Sequence, residues 1–218
     1  MIVKILRYSA LALTAIACCS CQKEPSTSDL RKEYLVYTAH DTATDFQQIE
    51  TYYLPDSILV IGNSDRTEYW KDDDAQEILS VVADRMNAAG YMRLDERSEA
   101  NVGLQLSYVR RVTYFVGYDN PCWWWYYPYY WAPGYWGDWL GWHYPYQVYY
   151  GYTAGSMLIE MVDLTADRQS NRKLPVIWDS FIGGLLTSSH KVNMQRTLDA
   201  VNQAFMQSPY LETNSVNR

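Results

Sequence analysis

Cysteine is scarce, and it is distributed wrongly for a disulfide framework. Three of the four cysteines crowd together at Cys18, Cys19 and Cys21, and the fourth, Cys122, stands alone far down the chain. If the first three belong to an export signal, Cys122 has no internal partner, so a cross-linked scaffold is excluded. Histidine is scarcer still. His40, His143 and His190 are the only three, and none has a second histidine at metal-ligand spacing. No glycine-rich phosphate loop and no serine-elbow motif occurs. No Lys or Arg lies between Val112 and Asp167, and the formal charge of the whole chain is −7. An acidic chain does not gather phosphate backbones, so nucleic acid is not an expected partner. The cation-free stretch offers no electrostatic attraction to anionic lipid. Long apolar runs are also missing, and the one near the N-terminus is too short to span a bilayer. These absences leave no recognisable catalytic or cofactor motif, so the expectation is no enzyme, no cofactor and no bound metal.

The N-terminus carries addressing information. Lys4 and Arg7 precede the apolar run Tyr8 to Ala17, which leads into Cys18-Cys19-Ser20-Cys21. A basic region, a short apolar region and small residues make an export signal. The cysteines at its end resemble a bacterial lipoprotein signal, in which the first mature residue is a fatty-acylated (palmitate-bearing) cysteine. Cys21 is the favoured site, with Cys18 and Cys19 as alternatives. Ser20-Cys21-Gln22-Lys23-Glu24 resembles the start of lipoproteins in some Gram-negative groups, where such a cluster directs surface display. Several acyl chains at ~0.8 kcal/mol per buried CH₂ would anchor the chain stably, as one would not. The resemblance implies a lipid-anchored protein of the outer membrane, on its periplasmic face or at the cell surface. Removing Lys4 and Arg7 with the signal takes the charge from −7 to −9.

Residues 1–20 thus read as signal, 21–31 as a polar tether, 32–210 as one domain and 211–218 as a tail. Within the domain, Tyr34 to Ala39, Ile49 to Tyr53, Ile58 to Ile61, Tyr91 to Leu94, Val102 to Tyr108 (with an extension through Tyr118), Met157 to Val162 and Val176 to Ile182 have strand character. Asp72-Asp73-Asp74 precedes Ile78, Val81, Val82, Arg85, Met86 and Ala89, one face of a helix that Gly90 ends. Acids in a first turn suit the helix dipole. A calcium loop would need spaced ligands, a glycine and a distant Glu, which are lacking here. Ser188 or Ser189 can cap a last helix with the stripe Met194, Leu198, Val201 and Phe205. The order predicts an α+β fold: a mostly antiparallel sheet, two helices packed on one face, and a long aromatic-rich inter-strand loop at about 119–152. Glu160 and Asp163 read as strand-end surface groups, and His143 as a lone polar side chain, ligand or base.

Several segments together resemble the domain of unknown function 4136 family. They are Asp45-Phe46-Gln47-Gln48-Ile49-Glu50-Thr51-Tyr52, the helix ending Ala89-Gly90-Tyr91, the strand Val102 to Tyr108, Gly155 to Asp163, Trp178 and the terminal helix. The resemblance spans roughly residues 34 to 210. It implies an envelope protein of lipoprotein type and no particular activity.

What the chain has in excess is aromatic surface. Twenty of the 39 residues from Tyr114 to Tyr152 are Tyr, Trp or Phe, and 17 Tyr and Trp fall between Cys122 and Tyr152. Those 17 carry on the order of 2,500 Å² of buriable area. A soluble monomer rarely exposes more than a few hundred Å² of apolar patch, so something must cover most of them. Four covers are open: the domain itself, an envelope protein partner, a glycan, or the membrane interface. Trp123, Trp124, Trp125, Tyr130, Trp131, Trp136, Trp139 and Trp142 are the candidate contacts for a ligand or partner. The expectation is a non-catalytic structural or protein-interaction role, with surface glycan binding through this loop as the alternative.

Overall fold

The structure is a computed structural model that describes residues 34–62, 66–110, 133–137, 139–148, 154–167 and 173–213. The signal, the tether, Cys122, Trp123, Trp124, Trp125, Tyr130, Trp131 and any extension of the strand toward Tyr118 lie outside the described residues.

Nine strands and two long helices make up the described part. The strands are β1 (Leu35–His40), β2 (Thr51–Tyr53), β3 (Ile58–Ile61), β4 (Glu68–Trp70), β5 (Met92–Leu94), β6 (Val102–Val109), β7 (Trp142–His143), β8 (Ser156–Asp163) and β9 (Leu174–Gly183). The helices are α1 (Asp73–Ala88), the single turn α2 (Pro133–Trp136) and α3 (His190–Met206). The main sheet runs β1-β9-β8-β6-β2-β5, with β3 also beside β6 and β4 beside β3. Pairs β1–β9, β9–β8 and β8–β6 are antiparallel. β2 and β3 instead run parallel to β6, one after the other along the same edge, and β2 is parallel to β5. The α+β class is as expected, and the sheet is mostly antiparallel with a parallel sector. β4 and β7, of three and two residues, are the strands that the sequence pattern does not mark.

Helix α1 begins where its acids place it. The Asp72 side chain accepts from the Ala75 N–H, and Asp73 and Asp74 occupy the first turn. It ends at Gly90, whose φ of 96° is a left-handed conformation that glycine adopts without strain. There the Tyr91 N–H reaches the Met86 carbonyl and the Gly90 N–H that of Asn87, a Schellman closure. Ser189 caps α3 by accepting from the Val192 N–H. The two helices lie side by side and point the same way. Asp74 pairs with His190 at 2.6 Å. Eleven residues further along α1 and twelve along α3, Arg85 Nε donates to Asn202 Oδ1 at 2.6 Å.

Both helices cover one face of the sheet. Leu104, Leu106, Met157, Ile159, Met161, Trp178 and Ile182 meet Ile78, Val82, Met86, Ala200, Val201 and Ala204 there. Packing continues past residue 210, since Leu211 and Thr213 are buried and the Thr213 N–H donates to the Ala89 carbonyl at 2.9 Å. Trp178 ties β9 to the end of α3: its ring lies 5.4 Å from that of Phe205, and its N–H donates to Ser208 Oγ at 3.0 Å. Trp178→Ala is expected to cost ~3–5 kcal/mol, as for other buried tryptophans. Urea unfolding checks this, and a loss below ~1 kcal/mol would remove Trp178 from its place at the centre of this layer.

Candidate functional site

The second face of the sheet is set by the other half of each alternation. β6 offers Gly103, Gln105 and Ser107, β8 offers Leu158, Glu160 and Val162, and β9 offers Asp179 and Phe181. In an open sheet these would be solvent positions. Here residues 133–137 and 139–148, the second half of the aromatic stretch, lie across them as a strap. Trp136, Trp139 and Trp142 are buried with Val162, Leu174 and Val176 in a cluster distinct from the helix-side core. The Trp136 and Trp142 rings meet edge to face at 5.9 Å. β7 pairs with the start of β9 through Trp142 opposite Leu174 and His143 opposite Pro175. Gly103 is where the strap comes closest, because a side-chain carbon there would stand 2.2 Å from Trp136 Cζ3. Tyr135 fills the break between β2 and β3. Its hydroxyl bonds Ser57 Oγ, and its carbonyl accepts from Arg97 Nη1.

Under the strap lies a row of buried polar side chains. Gln105 on β6 stands opposite Glu160 on β8, which stands opposite Asp179 on β9. Glu160 is 1% exposed and Asp179 0%. The strap supplies each with a donor. Trp136 Nε1 donates to Gln105 Oε1 at 2.8 Å, Tyr144 to Glu160 Oε1, and Tyr146 to Asp179 Oδ1 at 2.7 Å. Gln105 Nε2 in turn donates to Ser107 Oγ at 3.0 Å. Burial pushes the Glu160 carboxyl up to about 8; the Tyr144 hydrogen bond opposes this and the neighbouring Asp179 charge adds to it. Burial, then the Asp179 charge, pushes the Tyr146 phenol well above its usual range. Chemically this is a pair of buried carboxyls in which burial favours the protonated form of Glu160. The strap covers both carboxyls.

This corrects the reading of Glu160 as a strand-end surface group: it is mid-strand and sealed. Asp163 does end β8, half-buried, and its side chain turns back to accept from the Thr165 N–H and hydroxyl. Of the candidate contact rings, Trp136, Trp139 and Trp142 face inward onto the sheet. The histidines have separate surroundings. His40 stacks on Tyr210 at 3.8 Å, His190 meets Asp74, and His143 is half-buried, with burial as the main cause lowering its imidazole pKa. Among the described residues no group of three or more His, Cys, Asp or Glu could hold a metal.

An open cleft of about 390 Å³ lies elsewhere, where the N-termini of α1 and α3 meet the ends of β3, β4 and β6. Its lining includes Trp70, Tyr108, Met157, Met194, Asp74 and His190. The Trp70 and Tyr108 rings are 5.4 Å apart. Its size is that of a small-molecule or side-chain pocket. Of its polar groups, Arg110 pairs with Glu68 and Asp74 bonds His190, both at 2.6 Å, while Asp72 caps α1.

Sheet, parallel helix pair and aromatic strap together define a layered α+β domain. The chain belongs to the DUF4136 family, a domain of unknown function, whose profile matches residues 36–210. It is similar to a DUF4136 family protein from Bacteroides thetaiotaomicron VPI-5482, whose crystal structure aligns at 46% identity and a TM-score of 0.74 over 82% of this chain and 97% of that one. A dodecameric variant of PelC from Paraburkholderia phytofirmans aligns over 83% of this chain and 98% of that one, at 13% identity and a TM-score of 0.37, a likeness too slight to argue from. No curated protein matches the chain.

Proposed function

We propose that this is a lipid-anchored cell-envelope protein, held at the outer membrane through Cys21, that works by structural or protein interaction and not by catalysis. The observation that carries the non-catalytic part is the closed strap. Its aromatic rings are spent on the sheet, and the carboxyls best suited to acid–base chemistry are sealed beneath them. The open cleft beside Trp70 and Tyr108 offers a contact surface for an envelope partner. The anchoring part rests on Lys4, Arg7, the apolar run and the cysteine cluster. Among the described residues no helix is long and apolar enough to cross a membrane. The inward-facing Trp136, Trp139 and Trp142 do not form a flat open platform, which lowers the case for glycan stacking on those three rings.

Cys21→Ser is expected to move the protein from the membrane to the soluble fraction and to abolish fatty-acid labelling. Labelling that persists in the variant would shift the anchor to Cys18 or Cys19, and a wild-type chain that takes up no fatty acid would end the lipoprotein reading. Turnover of any envelope substrate that disappears with Glu160→Gln would overturn the non-catalytic reading.

A further inference from the structure

We propose that residues 133–137 and 139–148 form a proton-dependent latch on the sheet, closed while the Glu160–Asp179 pair keeps a proton and loosened when that proton is lost. This goes beyond the anchoring reading and does not depend on it.

The geometry carries the inference. Two tyrosines two positions apart on the strap, Tyr144 and Tyr146, place their hydroxyls on two carboxyls that are direct cross-strand neighbours. Opposed residues in an antiparallel pair have Cβ atoms only ~4.5–5.5 Å apart. Among the described residues, the groups that face Glu160 are Gln105 from β6, neutral; Asp179 from β9, acidic; and the phenols of Tyr144 and Tyr146 from the strap. Among the described residues, the charge acting on Glu160 is that of Asp179, of like sign. Ionising both acids puts two negative charges side by side in a dry layer, a costly arrangement. Opening the strap admits water and removes that cost.

The opening can be local. The strap cluster of Trp136, Trp139, Trp142, Val162, Leu174 and Val176 is separate from the helix-side core, and among the described residues β7 pairs with β9 at Trp142–Leu174 and His143–Pro175, beside the Leu174 N–H bond to the Gly141 carbonyl. A segment with its own small cluster and a short ladder belongs to the low-stability end of a structure.

The direction with pH follows from linkage. Closed, Glu160 holds its proton up to about 8; hydrated in the open state, it would return to the ordinary value of 4.5. Opening is therefore insensitive to pH below about 4.5, grows by up to ~10-fold per pH unit between those values, and levels off above about 8.

The test places a single thiol under each layer of the full chain, with Cys18, Cys19, Cys21 and Cys122 replaced by serine. Val148→Cys reports on the strap, and Ala204→Cys on the helix-side core; both positions are buried. Thiol-labelling rates are divided by those of the urea-unfolded chain at the same pH, which cancels the chemistry of the thiol itself. The expected result is a Val148→Cys rate that rises between pH 5 and 8 by up to ~10-fold per unit and then flattens, while the Ala204→Cys rate does not follow. Adding Glu160→Gln abolishes the rise, and Asp179→Asn, which removes the neighbouring charge, narrows its range. A flat strap probe, a core probe that rises in parallel, or a rise that survives Glu160→Gln overturns the latch.

Discussion

Gly103→Ala is expected to destabilise the protein by ~3–5 kcal/mol, a large effect for one methyl group. The added carbon would sit 2.2 Å from Trp136 Cζ3 and 2.6 Å from Cη2. Overpacking of this kind costs ~1–3 kcal/mol even when neighbours give way. Trp136 cannot give way freely, because it is wholly buried and donates to Gln105 Oε1. If the ring is expelled, the Gln105 acceptor is left unpaired in the interior, at a further ~1–3 kcal/mol. Gly62→Ala is the matched control, since among the described residues a carbon there meets nothing nearer than Arg110 Cβ at 4.0 Å. That variant should stay within ~0.5 kcal/mol of wild type. Urea melts followed by tryptophan emission check both variants. A Gly103→Ala protein with wild-type stability and an unshifted emission maximum would mean that the strap does not rest on β6 as described.

Raising the pH from 5 to 8 is expected to lower the folding stability steeply, and Glu160→Gln is expected to remove most of that fall. Burial raises the folded-state pKa of Glu160 from 4.5 to about 8. Between those values the folded chain holds a proton that the unfolded chain has lost. The stabilisation is therefore complete below about 4.5 and is lost as pH rises through about 8. At ~1.36 kcal/mol per pH unit, this interval corresponds to at most ~5 kcal/mol. Glutamine keeps an acceptor for Tyr144 and cannot ionise, so the variant should be the more stable of the two at pH 8, with the difference shrinking toward pH 5. Chemical denaturation at pH 5, 6, 7 and 8 measures both profiles. Parallel profiles would show that Glu160 does not keep its proton in the folded chain.

The elements of this fold were legible where the pattern is local. Asp72 before a 3.6-residue apolar repeat, Gly90 after it, Ser189 before the last stripe and the alternation from Val102 to Tyr108 each encode their element within a few residues. The pairing of β2 and β3 with β6 was not legible. Both strands are short, and their parallel direction follows from how α1 lies across the sheet, which no hairpin signal reports. Glu160 was misjudged for a related reason. Its position in β8 alternates with Met157, Ile159 and Met161, and on a one-sided sheet such a position is wet. Only the strap makes it dry. The aromatic excess did announce that something had to be covered. It could not announce that Trp136, Tyr144 and Tyr146 would cover Gln105, Glu160 and Asp179, because that match depends on three strands coming into register first.

The pairing of β1 with β9 has a consequence for the order of events during synthesis. Leu35 lies opposite Gly183, across 148 residues of chain, and α1 finds its neighbour α3 across 116, from Asp74 to His190. Neither layer can close until nearly the last element exists. Contacts of such high sequence separation make for slow folding, since loop-closure entropy is lost before any contact returns it. The N-terminal half, once made, has no finished structure to fall into. For a chain proposed to be exported, that delay keeps the polypeptide threadable until its C-terminal helix is available on the far side.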